Sequence, residues 1–294
     1  MTGANGTAAA TCLLCKGRIS LLHRFGERSV CYCPSCEFGQ LDPLPTEDEL
    51  RRLYGSREYF EGSDRVGYAG YAQDAPQFAR TFRHKVRDLL ACTPVRDLLE
   101  IGCGPGYFLA AAEEAGIANA VGIDLNPAAI EAARAAGHRA EVGAIEQVEA
   151  DRKYDAIVMF DVLEHITAPV PFLTSVRGHT REGGVLYLMT PNIRSLLARV
   201  SGRRWVSFKI PEHVAYYSPR SIRLLLESAG WEVVSVRPTG QYVTLDFLLS
   251  RVERLLAPAA LLRGMARRLR CDGLVLFVPN GSIDVIARLR GTAR

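Results

Sequence analysis

The sequence predicts an α/β protein: an open, parallel sheet with helices on both faces, and ahead of it a small cysteine-rich module. Three observations carry that prediction. From about residue 95 onward, segments read alternately as strand and helix, and such alternation gives a parallel sheet with right-handed crossovers. The first of these pairs is joined by three glycines spaced by two, Gly102, Gly104 and Gly106. Five of the eight cysteines fall within residues 12–36, a clustering that asks for a local ligand. At 294 residues, 48% of them hydrophobic, the chain can bury one large core and still carry a module. The expected divisions are 1–45 for the module, 46–94 for a helical and aromatic leader, and 95–294 for the main domain.

Cys12-x-x-Cys15 and Cys33-x-x-Cys36 are two knuckles 17 residues apart. Four thiolates at this spacing close a tetrahedral structural zinc site with no open position. Residues 1–11 have no basic start and no apolar core, so no signal peptide is expected; a cytoplasmic location follows, and disulfides become the weaker explanation. Cys31 is expected to lie outside the ligand set. Arg28 to Tyr32 reads as a strand entering the second knuckle. Thr46-Glu47-Asp48-Glu49 is a capping box starting a helix to about Tyr54. Residues 55–75 carry Tyr59, Phe60, Tyr68 and Tyr71 among glycines, a composition suited to covering a site. Phe78 to Leu90 reads as a helix.

Asp97 to Ile101 is the strand that drops into the glycine turn, and Leu109 to Ala115 continues as helix. Ala120 to Asp124 is the next strand; Asn126 caps the helix after it and Pro127 takes the first turn. His138 to Val142 is a third strand. Tyr154 to Phe160 is a fourth, nearly all apolar and so buried on both faces. A helix over about 169–179 and a strand over Val185 to Met189 follow. Residues 190–217 read as an irregular insertion after the fifth strand, expected to wall a ligand pocket through Asn192, Trp205, His213 and Tyr217. Ser218-Pro219 caps a helix with the stripe Ile222, Leu225, Leu226 and Ala229, which Gly230 stops. Trp231 to Arg237 and Ile283 to Leu289 read as strands. Residues 241–270 between them read as a basic amphipathic helical region.

No stretch of 18 uncharged apolar residues occurs, so no membrane span is expected. Residues 251–294 hold nine arginines against Glu253, Asp272 and Asp284, enough for weak association of the tail with an acidic surface. The oligomeric state is open.

The glycine turn lets backbone approach a ligand where a Cβ would collide, and the helix after it points free N–H groups there. Asp124, 18 residues after Gly106, is placed to take the two hydroxyls of a ribose. A nicotinamide dinucleotide fits poorly. Glu100 beside the turn would repel a pyrophosphate, and Gly102-Cys103-Gly104-Pro105-Gly106 lacks the third glycine of the dinucleotide fingerprint. An acid at this point suits a ligand bearing an amine and a sulfonium.

Glu100 to Gly106, together with Gly122-Ile123-Asp124-Leu125-Asn126-Pro127, resembles the donor-binding motifs of class I S-adenosylmethionine-dependent methyltransferases. Tyr154 to Ile166 resembles the fourth-strand signature of their small-molecule branch. The cysteine knuckles followed by Leu41-Asp42-Pro43 resemble an N-terminal zinc module found on many bacterial members. Pro211 to Ser218 is similar to a segment of zinc-bearing sugar-nucleotide C-methyltransferases, although Pro211 stands where those enzymes have a histidine. The resemblance implies a Rossmann-like class I methyltransferase sheet plus a small N-terminal zinc-binding module, with S-adenosylmethionine as donor and structural zinc. It also implies that Gly102, Gly104 and Gly106 cradle the methionine part of the donor and that Leu125 lies on its adenine. Ala144 and Ile145 would border the adenine edge, Phe160 and Asp161 would line the sulfonium side, and the Tyr71 region would close over the carboxylate.

Methyl transfer to an oxygen or carbon of a small-molecule acceptor, such as a sugar nucleotide or a secondary-metabolite intermediate, is the leading expectation. A base is needed where the nucleophile must lose a proton, and His213, His165, Glu212 and Tyr217 are the candidate catalytic residues. RNA methylation with the zinc module holding RNA is a second reading. It is disfavoured because residues 1–36 offer only Lys16, Arg18, Arg24 and Arg28 and no aromatic–basic stacking platform. A non-catalytic zinc-ribbon docking protein is a third.

Overall fold

A computed structural model describes residues 11–54, 75–253 and 259–289. The main sheet has seven strands in the order β10-β11-β8-β7-β4-β5-β6. They are β4 (Asp97–Ile101), β5 (Asn119–Asp124), β6 (Ala140–Val142), β7 (Tyr154–Phe160), β8 (Thr180–Pro191), β10 (Trp231–Thr244) and β11 (Val275–Leu289). The first five in sequence run parallel; β11 is antiparallel to β8, and β10 to β11.

Alternation along the strands feeds two cores. Leu98, Ala156, Val158 and Tyr187 face helices α2 (Ala75–Cys92) and α3 (Tyr107–Glu114), meeting Val86, Leu89, Phe108 and Leu109. Leu99, Ile157, Met159, Leu186 and Leu188 face the other way, onto α5 (Pro169–Gly178) and α7 (Pro219–Ser228), where Leu173, Val176, Ile222 and Leu225 wait. The expected caps are present. The Asn126 side chain accepts from the N–H of Ala128 and Ala129 ahead of α4 (Pro127–Ala135), Ser218 from that of Ser221, and Thr46 from that of Glu49 at α1 (Glu47–Tyr54).

Two expectations are corrected at the C-terminal side. The sheet is mixed rather than all parallel, and residues 241–270 are not wholly helical. Strands β10 and β11 run on as a ribbon that pairs Thr244 with Val275, past Pro191, where β8 ends against Ser282. Only then come the helices α8 (Leu245–Glu253) and α9 (Ala259–Arg268), clamped by Arg263 and Arg267 on Asp246 at 2.8 and 2.9 Å. Hydrogen bonds between the two partners hold the ribbon together, so it needs no further strand beside it. The insertion is also more regular than expected, with a helix α6 (Leu196–Ser201) and a short strand β9 (Ala215–Tyr216).

β9 belongs to the N-terminal sheet, whose order is β1-β2-β3-β9, with β1 (Ser20–Phe25), β2 (Arg28–Cys33) and β3 (Phe38–Asp42). Gly39 pairs with Tyr216 and Gln40 with Ala215. A Cβ on Gly39 would lie 2.8 Å from Ile193 and 3.0 Å from Tyr216, so glycine lets the module sit flat on the main domain. Val30, Phe38 and Leu41 of the module share one apolar cluster with Trp205, Val214 and Tyr217. The module thus packs as part of the main domain, and its edge is the segment that carries His213.

Candidate active site

The carboxyl ends of the parallel strands open onto a cavity of about 390 Å³, where an open α/β sheet places its ligands. One end is the glycine turn. Gly102 has φ +72°, Gly104 +51° and Gly106 +88°, left-handed values that favour glycine. At Gly102 a Cβ would also fall 2.5 Å from Val162. Glu100, at the end of β4, is buried with one carboxylate oxygen unpartnered. Burial and the neighbouring Asp124 push its carboxyl well above the usual carboxylate range. A cation at this end would relieve both penalties.

Asp124 accepts hydrogen bonds from the N–H of Gly104 at 2.9 Å and of Asn126 at 2.8 Å. Burial raises its pKa and these amides lower it, with a net rise. The carboxylate therefore holds the glycine turn itself, and each oxygen keeps a second lone pair for a ligand. Leu125 is exposed, as a surface for a flat ring requires, and Ala144 is half-buried. Ile145, expected at the adenine edge, is buried in the core. Tyr71 lies outside the described residues.

The middle of the cavity is aromatic. Phe160 packs among Phe108, Phe82 and Tyr187, with ring centroids 5.1, 5.7 and 5.4 Å away. The ammonium of Lys85 lies 5.1 Å over the Phe160 ring and makes a 2.6 Å ion pair with Asp284. Asp161 is left-handed at φ 54°, lines the cavity and is hydrogen-bonded through its side chain to Glu164. Packing around it raises its carboxyl, while the ammoniums of Lys209 and Lys85 oppose that rise.

The far end gathers Glu164, His165, Glu212 and His213. Glu164 and His165 sit on the turn after β7, which the N–H of Val214 ties down by bonding the Glu164 carbonyl at 2.9 Å. His165 Nδ1 donates to the Glu212 carbonyl at 3.0 Å. The rings of His165 and His213 meet edge to face, centroids 4.7 Å apart. Burial and the nearby Lys209 ammonium bring His165 down to about 4. Burial, with His165 and Lys209, drives His213 well below the ordinary histidine value. Both imidazoles are neutral at physiological pH. Glu164 is raised by burial and by Asp161; Glu212 is raised by burial, against Lys209.

Of the four expected catalytic residues, His165, Glu212 and His213 line the cavity. Tyr217 does not: like Ala215 and Tyr216 it is fully buried, with its ring 5.4 Å from Phe38. Trp205 likewise fills the core beside Phe208. The insertion contributes Val206, Ser207 and Lys209 to the wall instead, and the ribbon contributes Gln241, Asn280 and Ser282. Lys209 was not legible in the sequence, being a lone lysine in an aperiodic stretch. Glu164 carried a signal, an acid beside a histidine directly after a buried strand.

Cys12, Cys15, Cys33 and Cys36 bring their sulfurs within 4.8 Å of one another. Cys12 and Cys36 are 3.5 Å apart, as are Cys15 and Cys33. The two knuckles repeat one backbone form, with Lys16 and Glu37, each just after a second cysteine, both at φ 61°. Burial raises the Cys33 thiol, but the Cys36 amide and neighbouring sulfurs outweigh it and bring it to about 7. Cys31 is buried outside the set.

A family described as "Methyltransferase domain" matches residues 71–236. The chain is 28% identical over 165 residues to the ubiquinone biosynthesis O-methyltransferase of Cereibacter sphaeroides, covering 50% of this chain and 66% of that one. It is 27% identical over 157 residues to the same-named protein of Nitrosospira multiformis, covering 48% and 64%. These alignments span less than two thirds of the relatives' own length. Among solved structures, a SAM-dependent methyltransferase from Archaeoglobus fulgidus superposes with a TM-score of 0.51 at 18% identity, covering 75% of this chain and 100% of that one. The YcgJ protein of Bacillus subtilis does so at 0.51 and 13%, covering 72% and 99%. At such identities the likeness is one of fold.

Proposed function

Since the chain belongs to the methyltransferase-domain family, we propose that it transfers the methyl group of S-adenosylmethionine to an oxygen of a small-molecule acceptor. One observation carries the reading: a single cavity joins the glycine turn and Glu100 to the His165, Glu212 and His213 edge. The buried, unpartnered oxygen of Glu100 and the Cβ-free cradle at Gly102 fit the donor's ammonium and backbone. Asp124 and Leu125 serve its ribose and adenine, and Phe160 and Asp161 flank its sulfonium. When bound, the donor supplies an already activated methyl group, so positioning provides much of the rate.

The residues divide the remaining work. Phe82, Phe108 and Phe160 exclude water around the transferring carbon. His165, Glu212 and His213 receive the acceptor's hydroxyl and the proton it sheds. The relatives named as O-methyltransferases support oxygen over carbon as the site. The four thiolates at the N-terminus match a structural zinc site and leave no open position. Zinc there would fix β3, hence β9, hence the segment bearing His213.

The test is transfer of labelled methyl from S-adenosylmethionine across a panel of phenols and sugar nucleotides, with structured RNA as a parallel arm. Label is expected on a hydroxylated small molecule. Label on RNA alone would overturn the reading.

A further inference from the structure

We infer that Asn280, carried on a bulge of the β10–β11 ribbon with Gln241 beside it, is a specificity-determining residue, selecting acceptors that bear a second oxygen besides the hydroxyl that is methylated. The inference rests on the methyl-transfer reading for the reaction, and on the ribbon's own geometry for the recognition.

Pro279-Asn280-Gly281 is a turn-forming triplet set inside a strand. Thr239 lies opposite Ser282, and the next residue, Gly240, lies opposite Pro279. Asn280 and Gly281 therefore have no residue of β10 opposite them and form a two-residue bulge. Gly281 takes φ +81°, which favours glycine. Gly240 is pressed so close to β11 that a Cβ there would collide with the Val278 carbonyl. The bulge falls where β8 ends: Pro191 pairs with Ser282 and brings no N–H to carry the ladder further. From the insertion, the Asn192 N–H donates to the Gly281 carbonyl at 2.9 Å. Bulges at such places re-aim a side chain toward a site.

Asn280 lines the cavity together with Gln241, Ser282 and Pro191. Its Oδ1 accepts from the Ser282 N–H at 3.1 Å, which turns the amide oxygen back onto the backbone. Nδ2 is the group left over, and it has no partner among the described residues. An amide nitrogen only donates, so its match is an oxygen lone pair: a carbonyl, an ether or a hydroxyl. The Gln241 side chain also has no partner among the described residues. Its place on the wall is set by the next residue, whose N–H donates to Thr81 Oγ1 of α2 at 3.0 Å. Both amides are half-buried.

The two parts of the wall differ in chemistry. Glu164, His165, Lys209, Glu212 and His213 are all titratable, whereas the ribbon offers only neutral amides and the Ser282 hydroxyl. Proton handling is therefore confined to the histidine edge, and the ribbon is left to recognise. A wall built to donate rejects a molecule that lacks the matching oxygen, because its N–H groups lose water and gain nothing in return. Neutral donors do this without asking for a charged ligand. The acceptor class is thus a molecule with a hydroxyl for the histidine edge and a second, neutral oxygen for the amides.

The test uses pairs of isosteric phenols: ortho-, meta- and para-hydroxyacetophenone, each against the ethylphenol of the same substitution. Members of a pair differ by one carbonyl oxygen, held at three distances from the hydroxyl. Affinity is read by calorimetry on the full-length protein with excess S-adenosylhomocysteine, the demethylated donor. The wild type is expected to bind the ketone of at least one pair at least about tenfold more tightly. Asn280→Asp keeps an oxygen for the Ser282 N–H and replaces only the donor, so the bulge is preserved. It is expected to abolish or reverse the preference, with melting temperature and S-adenosylmethionine affinity held. Gln241→Leu carries the same reading from the other strand and is expected to narrow it. A bulge with a structural role alone would instead lower the melting temperature and weaken both members of a pair equally. No ketone preference in the wild type at any spacing, or a preference undiminished in both variants, would overturn the inference. S-adenosylmethionine titrated into the same samples separates the claims. Donor binding without ketone preference sinks the acceptor element and spares the methyl transfer; ketone preference without donor binding does the reverse.

Discussion

His165 Nδ1 donates to the backbone carbonyl of Glu212 across 47 residues of sequence, at 3.0 Å. This bond ties the turn after β7 to the insertion, two segments that line the same cavity. It joins the two segments directly and makes Nδ1 a protonated nitrogen of the His165 ring.

His213 is placed at that junction, and its loss should separate binding from turnover. In His213→Ala the donor affinity is expected to hold, while single-turnover rate falls about 10²–10⁴-fold. Melting temperature measured on the same sample distinguishes this from simple unfolding. A donor-binding variant with near-normal rate would remove His213 from the mechanism.

Tyr217 should behave in the opposite way. Its hydroxyl is buried without a partner, so Tyr217→Phe removes an unsatisfied polar atom and keeps the ring on Phe38. Stability is expected to stay level or rise by up to about 1–3 kcal/mol, with turnover intact. A large loss of rate at unchanged stability would return Tyr217 to the site.

Metal at the N-terminus should depend on four cysteines and no more. Cys12→Ser or Cys36→Ser is expected to lower zinc content and destabilise the module, and Cys31→Ser to spare both. Because β9 pairs with β3, loss of zinc should also lower turnover through the His213 segment. Full zinc in Cys12→Ser, by elemental analysis, would defeat the assignment.

The Lys85–Asp284 pair is 2.6 Å long and nearly solvent-free. Asp284→Asn alone is expected to cost about 3–5 kcal/mol in urea unfolding, since it leaves the Lys85 ammonium buried without its counter-charge. Lys85→Met combined with Asp284→Leu should recover most of that. Equal losses in the single and double variants would show that the pair is not what holds α2 to β11.

What was legible in the sequence follows the physics of burial. β4, β5 and β7 were readable because a strand covered on both faces is apolar along most of its length, with acids only at Asp97, Glu100, Asp124 and Asp155, and the capped helices because Asn126 and Ser218 sit one residue before a proline. The β10–β11 ribbon was only half legible: its outer part is half-exposed, and partial exposure leaves no clean alternation. The donor end could be read as a local motif, since Glu100, the glycines and Asp124 act within 25 residues. The acceptor end could not. Lys209 and Glu164 acquire meaning only when β7 and the insertion meet, and Trp205 and Tyr217 had the composition of a pocket but the packing of a core.

The most direct test of the account is isothermal titration of S-adenosylmethionine into the wild type and Asp124→Ala. The wild type is expected to bind one donor per chain, and the variant to lose about 1.5–3 kcal/mol of binding free energy, the range for hydrogen bonds to a charged group. Tight binding of NAD with none of S-adenosylmethionine, or undiminished donor affinity in Asp124→Ala, would contradict it.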